Sequence, residues 1–417
     1  MKKKTLTQTI KIKDLGKVIT GTTPPTANKA YFDGKYLFIK PSDISEDQRY
    51  LFETEITLSD AGYEYQAIKA LPKNSICVVC IGTIGKKMCL TSQECFTNQQ
   101  INSIVVNHSK YDQLYVYYLI RNYLPHLKQL NAGSTSGREN VNKSSFENIE
   151  IQVHELKIQQ KIASILSNYD DLIENNTRRI KILEEMAQTL YNEWFVKFRF
   201  PGHEQVRMVE SELGLIPEGW EVKELGDIAQ EVRRGINPDT VDPETPYFGL
   251  EHLPRKSIAL SEWGKAGEVQ STKLVFYKGE ILFGKIRPYF HKVGVAPIDG
   301  ICSSDTIVIN PKISQYFSIV LSCVSSEDFI NHTTQTSQGT KMPRANWDIL
   351  TKYPLVIPSS SILEQFNNFI ENAVQQIQIL IFKNKNLQKT RDLLLPKLIS
   401  GEIDVEKLEI DTEKIAA

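Results

Sequence analysis

The sequence predicts an α+β protein. Two similar, mainly antiparallel-sheet domains are separated by a long antiparallel coiled coil of two helices, in a pseudo-twofold internal duplication. Three observations carry that expectation. The chain is written twice, at an offset of roughly two hundred residues, a domain-sized period. Each copy holds short β-rich runs punctuated by turn signals. Each copy closes on a long apolar stripe of helical spacing.

The repeat is visible in matching strings. LGKVITG (Leu15 to Gly21) answers LGDIAQEVRRG (Leu225 to Gly235). The polar loop AGSTSGREN (Ala132 to Asn140) answers TSQGTKMPR (Thr336 to Arg344). A short apolar strand follows each loop, IEIQV (Ile149 to Val153) or PLVIP (Pro354 to Pro358), and then each long helix begins.

Residues 1–154 form the first domain. Its strands are KYLFIKPSDI, NSICVVCIGTIGKKMCLT and INSIVV, with one helical stretch around Leu114 to Leu130. The first long helix is expected over 155–199, with Ile158, Ile162, Ile165, Tyr169, Leu172, Asn176, Leu183, Met186 and Leu190 at steps near 3.5. A linker covers 200–217. Trp194, Phe195, Phe198 and Phe200 cluster just before it, as domain packing or as a base-stacking platform. Residues 218–358 repeat the sheet pattern, with a helical stretch from Phe317 to His332. The second long helix is expected over 359–402, its stripe running from Phe366 through Ile377, Asn384 and Leu398. An acidic tail occupies 403–417.

A helix of about 40 residues spans roughly 60 Å, and its apolar stripe must be covered. Two such helices satisfy each other as an antiparallel pair. Asn176 and Asn384 interrupt the stripes; either they are buried and fix register, or they face water. Ile173, Ile182, Ile370, Ile379 and Ile381 lie off the stripes. They mark a docking face for a partner protein, or contact the chain's own domains.

The bulk properties narrow the function. A chain of 417 residues with 41% hydrophobic and 24% charged residues is a folded protein too large for one core. A net charge of −1 argues against nonspecific DNA coating but leaves local basic patches open. No apolar run approaches the ~20 residues of a membrane span, and Met-Lys-Lys-Lys precedes no apolar segment, so a cytoplasmic protein is expected. Cys77 and Cys80 form a CxxC inside a strand, where i and i+3 point to opposite faces. They read as core thiols rather than metal ligands.

Catalytic motifs are missing. There is no GxxxxGK[ST] phosphate loop, GxSxG or HExxH. The [DNS]PP[YFW] string of amino-methyltransferase sites is absent; Thr23-Pro24-Pro25-Thr26 does not supply it. A non-catalytic recognition or scaffold chain is expected. What the sequence does offer is clustered cations. Lys273, Lys278, Lys285, Arg287 and Lys292 crowd one hairpin with Tyr289 and Phe290 between them, and Lys86 and Lys87 occupy its counterpart. Cations meet phosphates, while Asn, Gln and Arg read base edges.

Several strings resemble a known family: LPKNSICVVCIGTIG with FTNQQINSIVV, GEILFGKIRPYFHKVGVAPIDGICSSDTIVIN with QGTKMPRANWDIL, LYNEWFVKFRFPG with SELGLIPEGWEV, and LLLPKLISGEIDV. Essentially the whole chain looks like the specificity (S) subunit of type I restriction-modification systems. The resemblance implies two target-recognition domains, each reading half of a bipartite double-stranded DNA site. It implies two methyltransferase subunits docked on the helices, flipping an adenine in each half-site, and restriction subunits beside them. No cofactor is expected on this chain; S-adenosylmethionine, ATP and Mg would belong to the partners. Base-reading candidates are Asn98, Gln99, Gln100, Arg138, Arg287, Ser304 and Lys341. Phosphate candidates are Lys86, Lys87, Lys285, Lys292 and Arg344. The alternative for TNQQ and CSSD is that they close strand ends. Three other functions remain open: the specificity chain of a system whose partner fuses nuclease and methyltransferase, a self-sufficient adenine methyltransferase, and a scaffold without a DNA role.

Overall fold

A computed structural model describes residues 7–46, 48–131, 140–339 and 341–408. The chain divides into two compact units. One runs up to Leu172 and resumes at Leu387; the other is Ile173–Asn386. Each unit therefore owns a sheet domain and part of each long helix, rather than the helices forming a body of their own.

In the first unit, a five-stranded sheet runs in the order Gly16–Thr20, Ile101–Val106, Ile76–Val79, Met88–Thr91, Tyr50–Leu51. Its pairs are antiparallel except the last. The β-branched run of Ile76–Val79 is buried on both faces, which is why it does not alternate. Cys77 packs with Leu37, Cys89 and Cys95 on one face, Cys80 with Ile84 and Met88 in the larger core. A three-stranded sheet (Thr57–Leu58, Phe32–Ile39, Cys95–Thr97) completes the domain.

The second unit repeats the plan. Ala229–Glu231, Thr306–Pro311, Ile281–Gly284 and Val293–Val295 form an antiparallel sheet. A five-stranded sheet carries one parallel pair, Pro246–Phe248 with Gly300–Cys302. Both domains are closed by the same device: an early strand pairs antiparallel with the strand that leads into the long helix. Thr7–Lys11 pairs with Glu150–His154, and Glu221–Glu224 with Pro354–Ile357.

The domain helices differ in one respect from the sequence expectation. The first is Gln113–Tyr123, capped by Asp112 and prolonged as a 3-10 helix over Leu124–Asn131. The second is broken in two, Phe317–Val324 and Glu327–Thr336. Ser326 breaks it because its hydroxyl accepts from the Phe329 amide (3.2 Å) and caps a new start.

The long helices are Leu156–Tyr191, whose last turn widens into a π-helix at Asn192–Val196, and Ser360–Ile399. In the first unit, Ile158, Ile162 and Leu166 share a core with Leu395, Leu398 and Ile399. In the second, Ile180 and Leu183 meet Ile377 and Ile381. Early residues of one helix thus face late residues of the other, the antiparallel arrangement. Asn176 does not face water: its Nδ2 donates to Asn384 Oδ1 (2.9 Å), and Asn384 Nδ2 donates to Thr177 Oγ1 (3.3 Å). The linker aromatics are core as well. Phe195 lies 4.6 Å from Phe366 and Phe200 4.7 Å from Trp220, ring centre to ring centre, so packing rather than base stacking occupies them. No helix among the described residues is long and apolar enough to cross a membrane.

Candidate nucleic-acid interface

Each sheet domain carries one hairpin turn built on the same frame. The turns are Ile81–Lys87 and Ile286–Lys292, of equal length. At the entry, the Cys80 amide donates to Gln100 O (2.8 Å) and the Lys285 amide to Asp305 O (2.8 Å). The carbonyls of Cys80 and Lys285 accept from Val141 and Ala345, each at 2.9 Å. At the exit, the Val79 amide donates to Lys87 O (3.1 Å) and the Gly284 amide to Lys292 O (2.8 Å). Lys87 Nζ donates to Pro41 O (3.0 Å), and Lys292 Nζ donates to Leu250 O.

That last pair narrows the sequence reading. Lys87 and Lys292, phosphate candidates, are half-buried, and each ammonium spends one donor on a backbone carbonyl that anchors the turn. Burial, with Arg255 nearby, pulls the Lys292 pKa below its ordinary value. Asn98, a base-reading candidate, is engaged within its own turn. It is buried, its Oδ1 accepts from the Gln100 amide (3.0 Å), and its Nδ2 donates to Gln100 Oε1 (2.9 Å). TNQQ therefore closes a strand end through Asn98 and Gln100. Ser303 does the same in CSSD, accepting from the Asp305 amide (3.2 Å).

The remaining cations stay at the corners. In the second domain Lys285 and Arg287 stand beside the arm that carries Arg344. The Arg287 amide donates to Pro343 O (2.8 Å), Ile286 bridges Arg344, and the Arg344 guanidinium lies 3.6 Å from Asp305. Ser304, Lys341 and Arg344 are exposed. In the first domain Lys86 is exposed, as is Gln99, whose Oε1 accepts from Thr23 (2.7 Å). Ile81 bridges Asn140 there. Arg138 lies outside the described residues.

The tips of the two turns differ. Gly82 sits at φ +89, where an added Cβ would meet nothing within 4 Å. Arg287 occupies the same step of the second turn at φ +50, and His291 closes that turn at φ +52. Left-handed backbone costs a residue with a side chain roughly 1–2 kcal/mol. Pro288, fixed in φ, stands between them. His291 is buried with Nε2 2.9 Å from Ser325 O, and burial holds its pKa below the ordinary value. Tyr289 projects half-exposed, whereas Ile84 in the first turn is buried. The Arg255 guanidinium stacks over the Phe290 ring at 4.1 Å. Sequence reasoning missed Arg255, because it lies some thirty residues upstream in a loop and only the tertiary fold brings it to this corner.

The docking candidates separate as well. Ile173, Ile370 and Ile381 are buried by the chain's own residues, which removes them from a partner face. Ile182 and Ile379 stay exposed, as does Met186.

Comparison with known proteins matches this architecture. Residues 5–185 and 217–389 match the family described as type I restriction modification DNA specificity domain, once for each copy. The type I restriction enzyme MjaIX specificity subunit of Methanocaldococcus jannaschii is 29% identical over 95% of this chain and 94% of its own length. The HindI specificity subunit of Haemophilus influenzae is 34% identical over 43% of this chain and 40% of its own. The crystal structure of the type I S subunit from M. genitalium shares the fold, with a TM-score of 0.57 at 15% identity over 95% of this chain and 97% of that one. With both copies matched, the chain belongs to the type I restriction-modification DNA specificity family.

Proposed function

We propose that this chain reads a bipartite, asymmetric double-stranded DNA site, one half-site per sheet domain, and does no chemistry itself. The observation that carries the reading is the pair of hairpin corners built on one frame, each bearing at least one exposed cation: two like surfaces suit two half-sites. Lys86, Lys285 and Arg344 meet phosphates, and Gln99, Ser304, Lys341 and Arg287 face base edges. Two methyltransferase subunits dock on the long helices around Ile182, Met186 and Ile379, and restriction subunits join that core. S-adenosylmethionine, ATP and Mg act in those partners, in the cytoplasm where the DNA is.

The test is domain exchange. Residues 1–154 are replaced by the corresponding domain of a relative, and the methylated motif is read by methylome sequencing. One half of the motif should change and the other should persist. A motif altered in both halves, or no methylation dependent on this chain, would overturn the reading.

A further inference from the structure

We propose that Arg287, at the tip of the second domain's framed turn, specifies a guanine in the half-site read by that domain. The inference rests on the DNA-reading function proposed above. It starts from a contrast: the frame is constant and the tip is not. Entry amide, entry carbonyl, exit amide and the inward lysine make the same bonds in both domains. Between those anchors the first turn reads Gly82-Thr83-Ile84-Gly85-Lys86 and the second Arg287-Pro288-Tyr289-Phe290-His291. A scaffold kept while its tip is rewritten is what two readers of different sequences require.

Arg287 stands out within the tip. Its step of the turn is left-handed in both domains, and the first domain meets that demand with glycine. An arginine there is strained, so folding alone does not favour it, and strain at one residue of a braced turn points to a role for its side chain. The surroundings fix the backbone below it through the Pro343 carbonyl and the Ile286–Arg344 bridge. Among the described residues Arg287 Nε is buried without a hydrogen-bond partner, the guanidinium lies 5.9 Å from the Phe290 ring centre, and no ion pair joins it. Arg344, by contrast, lies by Asp305. A guanidinium on a braced backbone, its terminal Nη donors free of an ion pair, matches guanine O6 and N7, which accept two parallel hydrogen bonds in the major groove.

The test uses the full chain with its partner subunits in the host strain. Methylomes are compared for wild type, Arg287→Gly and Arg287→Lys, and melting is followed on the purified chains. Arg287→Gly relieves the left-handed strain, so its melting temperature should equal or exceed that of wild type. Its methylated motif should lose one guanine, the preference falling roughly 5- to 150-fold. Arg287→Lys keeps the charge but lacks the planar fork, so the same position should relax. A motif unchanged in Arg287→Gly would overturn the proposal. So would a relaxed Arg287→Gly motif with an intact Arg287→Lys motif, which makes the contact a phosphate one. So would a lower melting temperature with an unchanged motif, which makes Arg287 a brace. If wild type itself produced no methylated motif, the earlier reading would fail instead.

Discussion

Glu184 is an acid held where its charge is disfavoured. One carboxylate oxygen accepts from Ser257 Oγ (2.6 Å), the Ile258 amide (2.8 Å) and the Ala259 amide (3.1 Å), tying the first long helix to the second sheet domain. Burial still outweighs those bonds and lifts its pKa above the ordinary carboxyl value of 4.5. The folded state therefore binds the proton more tightly than the unfolded chain. Stability is greatest below that ordinary value and declines as pH rises through the lifted one. Glu184→Gln keeps an acceptor and removes the charge, so its melting temperature should vary less than wild type between about pH 4.5 and 7. Glu184→Ala takes the acceptor from the Ser257 hydroxyl and the Ile258 amide, while the Ala259 amide keeps Ser257 Oγ (3.2 Å), and should lose about 1–3 kcal/mol in denaturant unfolding. Lys285 poses a different question at the same scale. If it meets a phosphate, Lys285→Ala should weaken binding to every sequence and lower the slope of log affinity against log salt by about one. A loss confined to the methylated motif would instead make it a base reader.

The helix pair is specified by polar groups as much as by its apolar stripe. In the first unit Arg391 is almost wholly buried and donates to Asp170 Oδ1 (2.5 Å), while Tyr118 donates to Asp170 Oδ2 (2.5 Å). Burial opposes the Arg391 charge, but Asp392 and Asp170 outweigh it and raise its pKa. Asp170→Ala breaks the buried pair and leaves Asp392 to Arg391, so it should cost up to about 3–5 kcal/mol, whereas Asp170→Leu with Arg391→Met should recover much of that. Asn176→Leu with Asn384→Leu should raise the melting temperature while loosening register, seen as faster hydrogen exchange in both helices. A lower melting temperature for that double variant would show the asparagines to be net stabilising. Element type was legible here because period is local: stripes near 3.5 residues give helices, and β-branched runs give strands. The Ser326 break was not, since a serine inside an apolar stretch becomes a cap only when the fold turns there. The site was legible by composition but not by direction. Lysine density located both hairpins, but nothing local in the sequence says that Lys87 and Lys292 each donate to a carbonyl in a turn more than forty residues upstream.

Each unit has its own core and its own polar lock, which has a thermodynamic signature. Calorimetry should resolve two transitions, with Asp170→Ala lowering one and Glu184→Ala the other. A single transition shifted by both variants would mean that the shared helices weld the chain into one cooperative body.

The border between the units also sets an order of assembly. Leu395, Leu398, Ile399 and Val405 belong to the core of the first sheet domain. His154 Nε2 lies 2.9 Å from Ile399 O, and Lys161 Nζ donates to Glu406 O (2.7 Å) and Leu408 O (2.8 Å). The residues that seal the first sheet domain are made more than two hundred residues after its last strand, Glu150–His154. At about 5–20 residues per second of synthesis, the nascent chain carries an open apolar seam for many seconds. Translation halted near Asn386 would release a polypeptide whose first sheet domain, not its second, is unfinished.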